Sequence, residues 1–167
     1  IASKYEEIHP PEINDCVYIT DNTYSKDEVI RMECSIVRKL DFCLSFASPY
    51  LILQRLIRIS GMEKQDFFVC QYFLELSFLD YAQLVYKPSI LASAAVYFVR
   101  KLRGYDVAWP ESLELTTHIS SSELIKPASK MGRIMVATRN SNFKAIETKF
   151  KSLRFMAASE IELHEKI

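Results

Sequence analysis

Glycine is scarce, with three residues in 167 (Gly61, Gly104 and Gly132). That scarcity argues against a turn-rich β-protein, and neither GxGxxG nor GxxxxGK is present to cradle a phosphate. Net charge is also missing, since 21 Lys and Arg balance 21 Asp and Glu. The whole chain therefore makes no electrostatic case for nucleic acid or an acidic membrane surface. The longest nearly apolar run, residues 90–99, is about half of what a membrane span needs. The four cysteines (Cys16, Cys34, Cys43, Cys70) form no C-x-x-C, and a chain of this size does not depend on disulfide staples. They are expected to be reduced thiols in an intracellular protein, packing as small apolar groups. No signal or transit peptide is recognisable, and the chain opens on Ile1 rather than Met.

What the chain does have is a hydrophobic fraction of 49% with 12% aromatics, enough for a real core and too much for disorder. Ser25-x-x-Glu28 and Ser120-x-x-Glu123 are capping boxes that open helices over 25–41 and 120–139. Ser48-Pro49 opens a helix to Ser60, where Gly61 can close it in the left-handed conformation. Further helices are expected over 64–81, 88–103 and 110–118, with a last segment over 143–158 and earlier ones over 1–8 and 10–20. No stretch alternates with period two, so the fold class is all-α. The 88–103 helix has almost no polar face before Arg100, which makes it the central helix of a bundle, third of five between Ser48 and Arg139. The aromatics Tyr50, Tyr72, Phe73, Tyr97 and Trp109 are core candidates. Layout suggests a weak repeat: the back half of one five-helix bundle, then a complete second one.

The 25–41 helix carries the main puzzle. Val29, Met32, Ile36, Val37 and Leu40 form one apolar stripe, and Glu33 sits in the middle of it. A buried, unpartnered carboxylate there costs on the order of several kcal/mol. Either a cation such as Lys4 meets it within the fold, or part of the stripe faces outward and binds something. Charge is uneven along the chain: residues 1–48 carry net −4 and residues 126–154 net +7. Such a basic stretch is a footprint for phosphate, or else a solvated helix face balanced by acids elsewhere. His9, His118 and His164 lie far apart, so no metal site is expected, nor is any cofactor or Cys–His nucleophile.

The segments Ile1-Ala-Ser-Lys-Tyr-Glu-Glu-Ile8, Pro10-Pro-Glu-Ile13, Val17-Tyr-Ile-Thr-Asp-Asn-Thr-Tyr24 and Arg31-Met-Glu33 closely resemble the first cyclin box of mitotic A/B-type cyclins. The resemblance continues through Phe42-x-Leu44 into Leu74-Glu-Leu76, Leu79-Asp80, Pro88-Ser89, Trp109-Pro-Glu-Ser-Leu113, Lys149-Phe150 and Arg154-Phe155 of a second box. It covers nearly the whole chain and leaves the A or B subtype open. It implies a cyclin fold: residues 1–47 as the C-terminal part of a first box, 48–142 as a complete five-helix second box, and 143–167 as its tail. It also implies a non-catalytic regulatory subunit that binds and activates a cyclin-dependent protein kinase, of G2/M type, in nucleus and cytoplasm. Carried over by motif match, Lys4 and Glu33 stand at the family's polar kinase contacts and Val37, Phe42 and Leu44 at its apolar ones, with Tyr5 in the same motif and interface. The substrate-docking helix of the first box has no counterpart, so the chain is expected to be a fragment of a longer protein. As such it should expose Val17, Ile19, Val29 and Ile36 and activate a kinase poorly by itself. Direct nucleic-acid binding is not expected. The alternative reading is a double-cyclin-fold nucleic-acid-binding or transcription-factor-like scaffold using the basic stretch.

Overall fold

A computed structural model describes residues 1–161. Among the described residues there are α-helices and short 3₁₀ turns and no strand, as the periodicity requires. The chain divides into two compact units, Ile1–Phe46 and Ala47–Ile167. The first holds α1 (Ala2–Glu6), α2 (Ile13–Ile19) and α3 (Lys26–Lys39). The second holds α4 (Pro49–Ser60), α5 (Lys64–Ser77), α6 (Pro88–Leu102), α7 (Glu111–Thr117), α8 (Ser121–Arg139) and α9 (Ala145–Lys151).

Local chemistry sets these boundaries. Both capping boxes form, with the Ser25 backbone N–H donating to Glu28 at 2.8 Å and that of Ser120 to Glu123 at 2.9 Å. Those bonds hold both glutamates below the usual carboxylate range. Gly61 closes α4 at φ +65°. Pro49 occupies the first turn of α4, but the Ser48 hydroxyl makes no capping bond. The expected helix 64–81 stops early, at Ser77. The Ser77 hydroxyl donates back to the Leu74 carbonyl, and Asp80 caps a separate 3₁₀ turn, Tyr81–Gln83, by accepting from the Ala82 N–H. The 143–158 segment likewise shrinks to α9 followed by 3₁₀ turns, with Met156 and Ala157 in left-handed backbone. The last residues of the expected tail, 162–167, lie outside the described residues. Pro127 lies buried inside α8, within the helix expected over 120–139, although it can donate no backbone N–H there.

In the second unit, α6 is the centre. Leu91, Ala92, Ser93, Ala94, Ala95, Val96, Phe98 and Val99 are all buried, and α4, α5 and α8 pack around it. Each large side chain so buried contributes about 1.5–3 kcal/mol. Phe73 of α5 meets Phe98 edge to face, with ring centres 4.8 Å apart. α9 lays Phe150 against Tyr72 at 5.5 Å, and Lys149 pairs with Glu75 of α5 at 2.8 Å. Trp109 is buried and donates its indole N–H to the Ile119 carbonyl at 2.8 Å. Tyr72 and Phe73 are buried and Tyr97 half-buried, but Tyr50 is exposed, beside Phe67 at the rim.

Two buried charges escaped the sequence pattern. Arg100 donates to the carbonyls of Ser60 and Val107 and lies 4.2 Å over the Tyr105 ring. Asp66 accepts from Arg103 at 2.8 Å and from the Tyr105 hydroxyl at 3.0 Å. Burial, with that bond to Asp66, pushes the Tyr105 phenol up. The cysteines also divide. Cys70 is fully buried and its thiol is pushed well up by burial and by the Asp66 charge. Cys16 is half-buried, whereas Cys34 and Cys43 are exposed, because the first unit has no interior to receive them.

α6 and α8 approach closely at Gly132 on α8, where an added Cβ would stand 3.1 Å from the Phe98 ring. Replacing Gly132 by Leu should overpack this crossing and lower stability by about 1–3 kcal/mol. Urea denaturation with an unchanged midpoint would contradict the close approach of α6 and α8.

Candidate functional site

The first unit folds differently. Among the described residues, none in 1–46 is buried. Its order comes from hydrogen bonds at helix ends and from the packing of α2 on α3. The stripe along α3 is only partly covered: Val29 and Val37 are half-buried, while Met32 is 62%, Ile36 41% and Leu40 47% exposed. On α2, Ile19 is 78% exposed and Val17 half-buried. An open groove of about 990 Å³ runs past Ile13, Cys16, Val29, Met32, Glu33 and Ile36.

Lys4 of α1 reaches Glu33 of α3, with Nζ 2.7 Å from Oε2. The cation within the fold and the outward-facing stripe, posed by the sequence as alternatives, are both present. The hydrogen bond from the Lys4 ammonium holds Glu33 below the usual carboxylate range, against a smaller upward pull from burial. Tyr5, on the next residue of α1, is 55% exposed, and its hydroxyl lies 3.3 Å from the Ser45 hydroxyl.

The other three residues are gathered by the way α3 ends. The Phe42 N–H donates to the Val37 carbonyl, and the Asp41 N–H to the Arg38 carbonyl, each at 3.0 Å. This is a Schellman motif with Asp41 (φ +49°) and Phe42 (φ +56°) in left-handed backbone, without the glycine usually found there. The Leu44 N–H then donates to the Phe42 carbonyl at 3.0 Å. Val37, one turn beyond Glu33, is thereby tied to Phe42, and Phe42 to Leu44. Phe42 is 71% exposed and Leu44 half-buried, beside the Ser45 that meets Tyr5. The six residues singled out by motif thus fall into three bonded sets, Lys4–Glu33, Tyr5–Ser45 and Val37–Phe42–Leu44, which are joined only through neighbouring positions of the chain. One is a hydrogen-bonded ion pair, and another carries an exposed aromatic ring. Asp41 and Ser45, which take part in these sets, were not anticipated; Asp41 is recognisable only as the residue after the last helical turn.

Family models described as the cyclin N-terminal domain and the cyclin C-terminal domain match residues 1–45 and 42–163. The chain belongs to the cyclin family. It is 37% identical over 161 residues to a G2/mitotic-specific cyclin-B of Marthasterias glacialis, covering 96% of this chain and 42% of that one. It is 36% identical to a G2/mitotic-specific cyclin-B of Spisula solidissima, covering 96% and 37%. Against Cyclin-A1-4 of Oryza sativa subsp. japonica the identity is 31%, covering 93% and 45%. The chain spans about two-fifths of the length of these relatives. Members of this family are regulatory subunits rather than enzymes.

Other candidate chemistry is thin. Among the described residues no group of three or more His, Cys, Asp or Glu is placed to hold a metal ion; His164 lies outside them. No helix of the described residues is long and apolar enough to cross a membrane. The basic stretch is partly neutralised: Lys144 pairs with Glu147 and Lys149 with Glu75, both at 2.8 Å, and Lys151 with Glu160 at 3.7 Å.

Because Glu33 is held down by Lys4, their attraction is complete above the ordinary glutamate range, about 4.3, and is lost as pH falls through the depressed value. Lys4→Met should raise the Glu33 midpoint towards that ordinary range. An NMR titration of the Glu33 carboxyl checks this, and an unmoved midpoint would remove Lys4 as the cause.

Proposed function

We propose that the protein is the regulatory, activating subunit of a cyclin-dependent protein kinase, acting in nucleus and cytoplasm at the G2/M transition. The kinase-facing surface is formed by Lys4, Tyr5, Glu33, Val37, Phe42 and Leu44. The observation that carries this reading is the partly uncovered apolar stripe of α3, set around the Lys4–Glu33 pair and continued by the exposed Phe42 ring. An apolar surface with a satisfied polar centre suits a protein partner: the rings and aliphatic chains supply burial, and the polar centre fixes register. The similarity to cyclins named G2/mitotic-specific supports the choice of partner and phase.

The mechanism is a shift of population. A cyclin activates by binding the active arrangement of the kinase more tightly than the inactive one, so its differential affinity sets the extent of activation. Backbone geometry formed in advance serves that purpose, because less ordering is required on binding. The bonds from Val37 to Phe42 to Leu44 lie in backbone, where they fix the path of the chain at Phe42 whatever its side chain does.

Glu33→Ala combined with Phe42→Ala, made in the full-length protein, is expected to weaken kinase binding by more than about 2 kcal/mol, roughly thirty-fold. Calorimetric titration against the kinase measures it. Unchanged affinity would refute this assignment of the surface.

A further inference from the structure

The basic stretch does not form one continuous field. Lys144, Lys149 and Lys151 are paired with acids, and Arg139 donates to the Ile161 carbonyl at 2.7 Å. Arg154 lies 5.6 Å over the Phe155 ring. The rest cluster on α8, where Lys126, Lys130 and Arg133 fall at i, i+4 and i+7 on one helix face. None of the three has an acidic partner among the described residues. Lys130 donates to the Ala82 carbonyl at 3.3 Å and lies 5.9 Å over the Tyr86 ring; Arg133 donates to the Ser129 hydroxyl at 3.3 Å. Glu123, the nearest acid in sequence, is taken up in the capping box of α8.

These cations border a surface groove of about 380 Å³ lined by Tyr86, Ile125, Lys126, Ser129, Lys130 and Arg133. Ile125 is 54% exposed, and Leu84 and Val85, just before Tyr86, are 59% and 79% exposed. The groove therefore offers apolar and aromatic surface together with unneutralised positive charge.

We propose that this groove docks a short acidic peptide segment of a partner protein, with carboxylates on Lys126, Lys130 and Arg133 and an apolar side chain on Tyr86 and Ile125. The guanidinium of Arg133 suits a bidentate carboxylate, and the lysines act as point charges beside it. Nucleic acid fits less well. The three cations span seven residues, about 10 Å of helix, too short a track to neutralise the many phosphates that non-specific binding needs. A phosphate backbone also has no use for the apolar half of the groove. The inference is independent of the kinase reading, since it uses other residues of the other unit.

The test is fluorescence anisotropy of the 167-residue chain with a labelled peptide of Glu and Asp around a central Leu-Phe. Controls are the same peptide with Lys for its acids and a single-stranded oligonucleotide of similar length. The acidic peptide is expected to bind, and Lys126→Glu with Arg133→Glu to weaken it about tenfold or more by placing like charges in the groove. Ile125→Ser, which keeps the charges, should weaken it severalfold, and rising salt should weaken it progressively. All of these positions are exposed at the surface, and circular dichroism verifies that the variants remain folded. No binding by the folded wild-type chain, or equal binding by the charge-reversed variant, would overturn the proposal. Tighter binding of the oligonucleotide than of the peptide would also overturn it, in favour of nucleic acid.

Discussion

The second unit depends on how closely α8 can approach α6. Phe98 lies against the backbone of α8 where Gly132 leaves room, and Phe73 closes on the same ring from α5. The alanines at 92, 94 and 95 carry the same condition along α6, since each is buried under a neighbouring helix. A helix surrounded on all sides has no freedom to rotate or slide without opening voids, and voids in a close-packed interior cost stability directly. That condition sets the places of α4, α5 and α8, and through α5 that of α9. Arg100 and Asp66 enter this interior only because each arrives with its partners. Carbonyls and the Tyr105 ring receive the guanidinium, and Arg103 and Tyr105 receive the carboxylate.

The first unit shows what the same residue classes do without such a centre. α1 and α2 are too short to be stable from propensity alone, and an exposed ion pair such as Lys4–Glu33 contributes at most about 1 kcal/mol. Its regularity rests on end effects: capping boxes at Glu12 and Ser25, and a Schellman closure at Asp41. These fix where the chain turns without hiding its apolar side chains. The result is a surface defined by its backbone and left open at its side chains. In the kinase reading, part of the missing burial is completed across an interface.

How much of this was legible in the sequence follows from the range of each interaction. The all-α class, both capping boxes, the Gly61 stop and the buried α6 are written in residues a few positions apart, and those features formed as expected. The early end of α5 was missed because it turns on a hydroxyl donating to its own helix and on Asp80 capping a separate turn. Neither changes the hydrophobic period. Cys34, Cys43 and Tyr50 were read as packed residues because a composition rule assumes an interior everywhere. Burial of Arg100 depends on carbonyls of Ser60 and Val107, the first of them forty residues away, and no local pattern announces it. At the site, the placement of Lys4 beside Glu33 followed from an electrostatic demand on a misplaced carboxylate. The bonds linking Val37, Phe42 and Leu44 did not, because they need two successive left-handed residues, Asp41 and Phe42, with no glycine to signal them.

Charge gives the last instance of the same principle. A neutral total and a basic segment of net +7 are both true of this chain, yet neither describes its surface. Pairing is decided by which acids the fold brings within reach. Glu75 lies 74 positions from Lys149 and neutralises it, whereas Glu123 lies three from Lys126 and is held by a capping bond instead. Subtracting the paired groups leaves, on α8, a compact positive cluster beside exposed Ile125 and half-buried Tyr86, smaller and more specific than the segment that contains it. Net charge over a window measures how many ions must find partners. Which of them remain available to an outside ligand is a property of the fold, and within the basic segment three of them share one face of α8.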